Sequence, residues 1–168
     1  ILYFLYQKNA LRWPEINGRP NLKLENLNEL NGLAQGMAHD ALVDVQATIE
    51  LARRLRNENQ DMWDYLCQGF NKDTDLNRIN KLDKIILPNG LECEKGIFIR
   101  NRFGYKNNCM SLCLKVVYQE KMNRSFWLRL DTKDFASINS QNIISELEKS
   151  TVKRKMGVPD FILPINEK

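Results

Sequence analysis

Residues 38–57 read Ala-His-Asp-Ala-Leu-Val-Asp-Val-Gln-Ala-Thr-Ile-Glu-Leu-Ala-Arg-Arg-Leu-Arg-Asn. Leu42, Val45, Ile49, Ala52 and Leu55 recur at steps of three and four, with Leu51 beside them. That spacing predicts an amphipathic helix over about His39–Asn57 with these side chains as its buried stripe. Asp40 stands in the first turn, where the positive end of the helix dipole favours an acid. Arg53, Arg54 and Arg56 stand near the other end, where cations belong.

Upstream, Trp13-Pro14 to Arg19-Pro20 holds two prolines, Asn17 and Gly18, and reads as a loop. Leu24, Leu27 and Leu30 share a helical face, and Asn31-Gly32 supplies a left-handed stop. Downstream, Trp63, Leu66, Cys67 and Phe70 share the face of a helix over 61–70. Residues 71–83 are dominated by Asn, Asp and Lys, and a domain boundary is expected near residue 75.

Past this boundary the period changes to two. Ile85-Ile86-Leu87 precedes the turn Pro88-Asn89-Gly90. Gly96–Ile99 and Phe126–Leu130 read as strands, and Leu112, Leu114, Val116 and Tyr118 alternate with Cys113, Lys115 and Val117. Short strands separated by turns predict a small antiparallel barrel. A short helix is expected over 141–149, then the basic run Lys153-Arg154-Lys155, then an edge strand over 158–164. The fold class is α+β.

The chain has 168 residues, 43% of them hydrophobic and 27% charged, which excludes disordered, collagenous and coiled-coil classes. Its longest apolar run, Ile1–Tyr6, is far short of the roughly 20 residues that span a bilayer, so no membrane partner is expected. The first residue is Ile, and the chain is expected to begin inside a larger protein. The four cysteines form no Cys-x-x-Cys pair and read as free, mostly buried thiols in a reducing cytoplasm. Charge is uneven. Residues 1–69 hold 7 Lys and Arg against 9 Asp and Glu, a net −2; residues 70–168 hold 18 against 12, a net +6. An acidic half beside a basic half suits metal ions next to a polyanion, and equally suits ordinary solvated surfaces.

His39 is the only histidine, and Asp44 follows it by five residues. A carboxylate offers hard oxygen ligands to Mg²⁺ or Mn²⁺. A neutral imidazole nearby can take a proton from metal-bound water. Taken alone, a histidine before a helix also fits a capping or surface residue, and Asp40 fits a helix cap better than a ligand.

Ala38-His39-Asp40-Ala41-x-x-Asp44-Val45-x-Ala47-Thr48-Ile49 resembles the third exonuclease motif of the DEDDh superfamily. Its surroundings are similar to bacterial exodeoxyribonuclease I: Ala10-Leu11-Arg12-Trp13-Pro14, Leu24-Glu25-Asn26-Leu27 and Asn31-Gly32 before the motif, and Trp63-Asp64-Tyr65-Leu66 after it. Phe103-Gly104, Ser111 and the closing Val158-Pro159 are compatible with that family's later residues. Phe98–Asn101 and Lys115–Glu120 depart from its pattern.

The resemblance implies two parts. Residues 1–75 would be the C-terminal helical part of a ribonuclease-H-like exonuclease domain. Residues 76–168 would be a small Src-homology-like β-barrel that clasps single-stranded DNA. It implies 3′–5′ hydrolysis of single-stranded DNA to nucleoside monophosphates in DNA repair, with His39 as general base and Asp44 holding metal, two Mg²⁺ or Mn²⁺ ions in the complete enzyme. It implies a cytoplasmic monomer that can meet a single-strand-binding protein. Arg100, Arg102, Phe103, Tyr105 and Lys106 are the candidate DNA contacts, although Phe103 also suits a core and the cations a solvated surface. The family's Asp-x-Glu occurs nowhere in the sequence, so the isolated chain is expected to be inactive. The alternative is a non-catalytic single-strand-binding or interaction module.

Overall fold

The computed structural model of the chain describes residues 1–36, 40–131 and 143–165, without the side chains of Ile143, Ile144 and Glu146. The chain forms two compact units that divide between Leu66 and Cys67, not near residue 75.

The first unit opens with α1 (Leu2–Tyr6). A two-residue hairpin, β1 (Glu15–Ile16) and β2 (Arg19–Pro20), stands where the prolines predict a loop. Asn17 and Gly18 both have positive φ, and an Asn-Gly pair is the residue choice for such a tight turn. α2 (Leu24–Asn31) ends on Gly32 in the left-handed region, as the sequence predicts. α3 (Ala41–Glu58) and α4 (Gln60–Gln68) follow, the last two residues of α4 falling in the second unit. The core here is Leu11, Leu27, Leu33 and Ala47, flanked by Trp13, Leu24, Leu51 and Leu55. Asn31 clamps the segment before the hairpin, accepting the Arg12 N–H at 2.8 Å and donating to the Arg12 carbonyl at 2.8 Å. Arg54 donates to the Asn31 carbonyl at 2.9 Å and pins α3 against the end of α2.

The buried stripe of α3 differs from the expected one. Leu42, Val45 and Ile49 are 66%, 55% and 46% exposed. Val43 and Ala47 are buried instead, with Leu51 and Leu55 packed against the core. Two apolar stripes run along this helix. Periodicity reports both, and only the packing of α2 and Leu33 selects one.

After the last residues of α4, the second unit continues with α5 (Lys72–Asn80), in a stretch whose polarity suggests a domain boundary. Asn71 caps it by accepting the Thr74 N–H at 2.9 Å. Its few apolar residues, Leu76 and Ile79, both reach the core. Six strands follow: β3 (Lys84–Ile86), β4 (Glu92–Ile99), β5 (Met110–Gln119), β6 (Arg124–Arg129), β7 (Thr151–Lys155) and β8 (Phe161–Leu163), with α6 (Ile143–Ser150) leading into β7. Every pairing is antiparallel, in the order β3-β4-β5-β6-β7, and β8 also pairs with β4. No closed barrel forms among the described residues. The basic run 153–155 lies within β7.

Phe98, Cys113, Trp127, Val152, Met156 and Ile162 point inward and pack on Ile79 and Leu82. On β5 the inward residues are Ser111 and Cys113, while Leu112 and Val116 are exposed. A register shift between Lys115 and Val117 then reverses the alternation, so that Tyr118 rejoins the core. A bulge of one residue changes the facing of everything beyond it, and the sequence pattern does not mark it. Gly96 is required by close packing: a Cβ there would stand 2.6 Å from Ile162 Cγ2. All four cysteines are free, and Cys93, Cys109 and Cys113 are buried.

A buried ion pair joins α5 to the sheet. Arg154, 2% exposed, donates to both carboxylate oxygens of Asp75 at 2.7 and 2.8 Å and to the Asp160 carbonyl at 2.7 Å. Asp75 also accepts the Gly157 N–H at 2.8 Å.

Replacing Asp75 with Ala strands the Arg154 charge in the core. Urea unfolding is expected to show a loss of about 3–5 kcal/mol. Burial pushes the Cys113 thiol up to about 11 and raises that of Cys109 as well. In the native protein at pH 8 a thiol reagent should therefore modify exposed Cys67 first, and Cys113 only on unfolding.

Candidate active-site helix and nucleic-acid interface

His39 lies outside the described residues, as do Met37 and Ala38. The candidate site is therefore built from the start of α3. Asp40 is the N-cap. Its Oδ1 accepts the backbone N–H of Leu42 at 2.8 Å and of Val43 at 3.4 Å. This oxygen meets two of the four donors that a helix start leaves unpaired. Asp40 thus acts as a cap, as its position before the helix suggests. Gly36 fits close against Val43, with φ +133° and no room for a Cβ, which would lie 2.5 Å from Val43 Cγ2.

Asp44 occupies the first turn, and its N–H bonds the Asp40 carbonyl at 2.9 Å. Its own carbonyl accepts the Thr48 hydroxyl at 2.8 Å. The Asp44 side chain is half-buried, and among the described residues its carboxylate has no hydrogen-bond or ion-pair partner. It is thus a hard-oxygen donor with no partner among the described residues, on a helix capped by Asp40. Among the described residues no three His, Cys, Asp or Glu side chains gather as a metal-binding group. One monodentate carboxylate fills one of the six positions around Mg²⁺, so Asp44 fits as a member of a ligand set and not as the whole of one.

The five candidate DNA contacts part company in the structure. Two 3₁₀ turns, Asn101–Phe103 and Tyr105–Asn107, carry four of them, separated by Gly104 at φ +80°. Arg102 and Lys106 are exposed there. Tyr105 is half-buried, and burial raises its phenol above the usual value. Phe103 packs edge-on against Phe98 at 5.6 Å, with the Arg129 guanidinium 4.4 Å from its ring centre. Arg100 is turned inward. It pairs with Asp160, donates to the Lys153 carbonyl at 2.9 Å and lies over the Phe98 ring. Arg100 and Phe103 thus brace the sheet, whereas Arg102 and Lys106 remain open to solvent.

A second polar cluster, which no motif marks, closes the end of β5 and β6. Arg129 donates twice to Asp131, at 3.0 and 2.9 Å, and the Ser111 hydroxyl donates to the same carboxylate at 2.5 Å. Burial alone would raise the Asp131 carboxyl. The bonds from Arg129 and Ser111 outweigh it and hold the group below its ordinary range.

No family model matches the sequence. The fold is that of a region of a solved nuclease: the chain superposes on E. coli exonuclease I in complex with a dA16 oligonucleotide with a TM-score of 0.78 at 19% identity, over 98% of this chain and 36% of that one. It superposes on SSB/exonuclease I in complex with the inhibitor CFAM with a TM-score of 0.76 at 18% identity, over 98% of this chain and 35% of that one. The sequence points to the particular relative. Over 70 residues, 41% of this chain, it is 36% identical to exodeoxyribonuclease I of Escherichia coli strain K12. That match spans 15% of the relative's length, so the chain is similar to a part of exodeoxyribonuclease I.

The separate duties of Asp40 and Asp44 are open to a stability measurement. Asp40→Ala should destabilise the chain by about 1 kcal/mol through loss of the cap. Asp44→Asn should cost only about 0.3–0.5 kcal/mol, the share of a first-turn acid in the helix dipole, since among the described residues its carboxylate has no partner to lose.

Proposed function

We propose that this chain is the portion of a 3′–5′ exonuclease that carries the third catalytic motif and a strand-clasping sheet unit. The complete enzyme hydrolyses single-stranded DNA to nucleoside monophosphates. The observation that carries this reading is the 36% identity over 70 residues to exodeoxyribonuclease I. The fold likeness to exonuclease I supports it.

In this reading Asp44 supplies one carboxylate to a site for two divalent ions, Mg²⁺ or Mn²⁺. The Asp-x-Glu pair that this reading also requires occurs nowhere in these 168 residues. When bound, the ions lower the pKa of a ligated water and stabilise charge on the phosphate. Asp40 holds the first turn of α3 in place, so that the Asp44 carboxylate is presented from a fixed backbone. His39, one residue before the cap, takes the proton of the attacking water through its neutral imidazole.

The second unit is the small Src-homology-like barrel of this reading. Only residues 156–160 separate β7, at one end of the strand order, from β8, which pairs with β4. So short a link supports a strongly curled sheet. Arg102, Tyr105 and Lys106 are its proposed contacts to the strand. A single-strand-binding protein is a proposed partner, on the fold likeness to SSB/exonuclease I. A monomer at work in DNA repair in the cytoplasm completes the proposal. No helix among the described residues is long and apolar enough to cross a membrane. A non-catalytic single-strand-binding module is the second reading, favoured by the net +6 of residues 70–168.

Two measurements test the catalytic reading. The isolated chain should release no mononucleotides from single-stranded DNA with Mg²⁺ or Mn²⁺. Metal-dependent release that disappears in His39→Ala would contradict this. A chimera carrying this sequence in place of the matched region of the E. coli enzyme should degrade single-stranded DNA. His39→Ala should slow it about 10²–10⁴-fold. A folded chimera indifferent to that substitution removes His39 from the chemistry.

A further inference from the structure

Some cations of the second unit, Lys84 with Glu92 among them, are paired with carboxylates. Arg100, Lys115, Arg129 and Arg154 are each held by a carboxylate: Asp160, Glu94, Asp131 and Asp75. Arg124, Lys153 and Lys155 are exposed, and among the described residues none of them meets a carboxylate.

These three share one surface. Along β7, Val152 and Arg154 are buried while Lys153 and Lys155 face out. Along β6, Ser125 and Trp127 are buried while Arg124 and Phe126 face out. The register sets Arg124 opposite Lys155 and Phe126 opposite Lys153. The result is a two-by-two block of three cations and one aromatic ring, with the Lys153 ammonium 5.9 Å from the Phe126 ring centre. Neighbouring strands lie about 4.8 Å apart, and alternate residues along a strand about 7 Å apart. Glu120, in the 3₁₀ turn between β5 and β6, is the exposed acid of the adjoining turn, next to Lys121.

The backbone beneath this block is tied down by hydrogen bonds. Arg154, between the two lysines, is locked to Asp75 and to the Asp160 carbonyl, and the Lys153 carbonyl accepts from Arg100. Three like charges side by side on fixed strands repel one another, and a polyanion relieves that repulsion. A flat aromatic face among cations suits a linear polyanion that also carries rings. That is the chemistry of a single nucleic-acid strand, with phosphates on the cations and a base on the ring.

We propose that Arg124, Lys153, Lys155 and Phe126 form a contact strip for single-stranded nucleic acid on the outer face of β6 and β7, additional to the turns that carry Arg102 and Lys106. The strip rests on the single-strand reading of this unit given above, and it assigns a specific surface to that role.

The test is fluorescence anisotropy of the 168-residue chain with a labelled oligothymidine of about 16 nucleotides, between about 50 and 200 mM salt. The Arg124→Ala/Lys153→Ala/Lys155→Ala variant should bind at least tenfold more weakly at the lower salt. Its slope of log affinity against log salt should fall by about 2, the value for three lost phosphate contacts on a single strand. Phe126→Leu should weaken binding about fivefold and leave that slope unchanged. Circular dichroism establishes that both variants are folded. Unchanged affinity and slope in the triple variant, beside a wild-type chain that binds, overturn the strip and leave the single-strand reading standing. So does a loss confined to Arg102→Ala/Lys106→Ala. Equal binding of a polyglutamate peptide, lost in the same triple variant, marks a general polyanion surface and also overturns it. A wild-type chain that does not bind at the lower salt overturns the single-strand reading itself.

Discussion

The carboxylate of Asp75 and the guanidinium of Arg154 meet inside the second unit, and the arrangement around them depends on that meeting. Two opposite charges away from water are tolerated only where their hydrogen bonds are met. Here the guanidinium gives two bonds to the carboxylate and one to the Asp160 carbonyl, and the carboxylate takes a further N–H from Gly157. The pair therefore fixes α5, β7 and the turn after β7 at once. That turn leads into β8, whose Ile162 packs in the space that Gly96 leaves open. Arg100 adds a second tie between the end of β4, the Lys153 carbonyl and Asp160.

The same pair separates structural charge from available charge. Strand alternation sends Arg154 inward to its acid and sends Lys153 and Lys155 outward. Three adjacent cations in the sequence thus acquire two different duties from a period of two. The apolar interior under β6 and β7, with Trp127 and Val152, fixes which residue takes which duty.

In the first unit, the start of α3 shows a parallel division between two acids. Asp40 spends its oxygen on helix N–H groups, and the Asp44 carboxylate meets no partner among the described residues. A metal ligand needs that freedom, and a cap needs the opposite. The geometry of a helix start assigns the roles, because the residue before the first turn can reach the orphan N–H groups and one a full turn on cannot.

Much of this was legible in the chain itself. The length of α3, the cap at Asp40, the left-handed stop at Gly32 and the hairpin around Pro88-Asn89-Gly90 are local, since each rests on a few neighbouring residues and on backbone sterics. The likeness of residues 38–49 to an exonuclease motif was legible for the same reason, because a motif is a local pattern of side chains. Other features were decided only by tertiary structure. Which of two apolar stripes on α3 is buried depends on α2. The facing of β5 depends on a bulge that leaves no mark in the alternation. Helix α5 hides in a polar segment because only Leu76, Ile79 and the buried Asp75 need to reach the core. Arg100 and Arg154 read as surface cations until Asp160 and Asp75, 60 and 79 residues away, are brought against them. Local sequence determines the conformation of a segment; the partner that each side chain meets is determined only when distant segments close on one another.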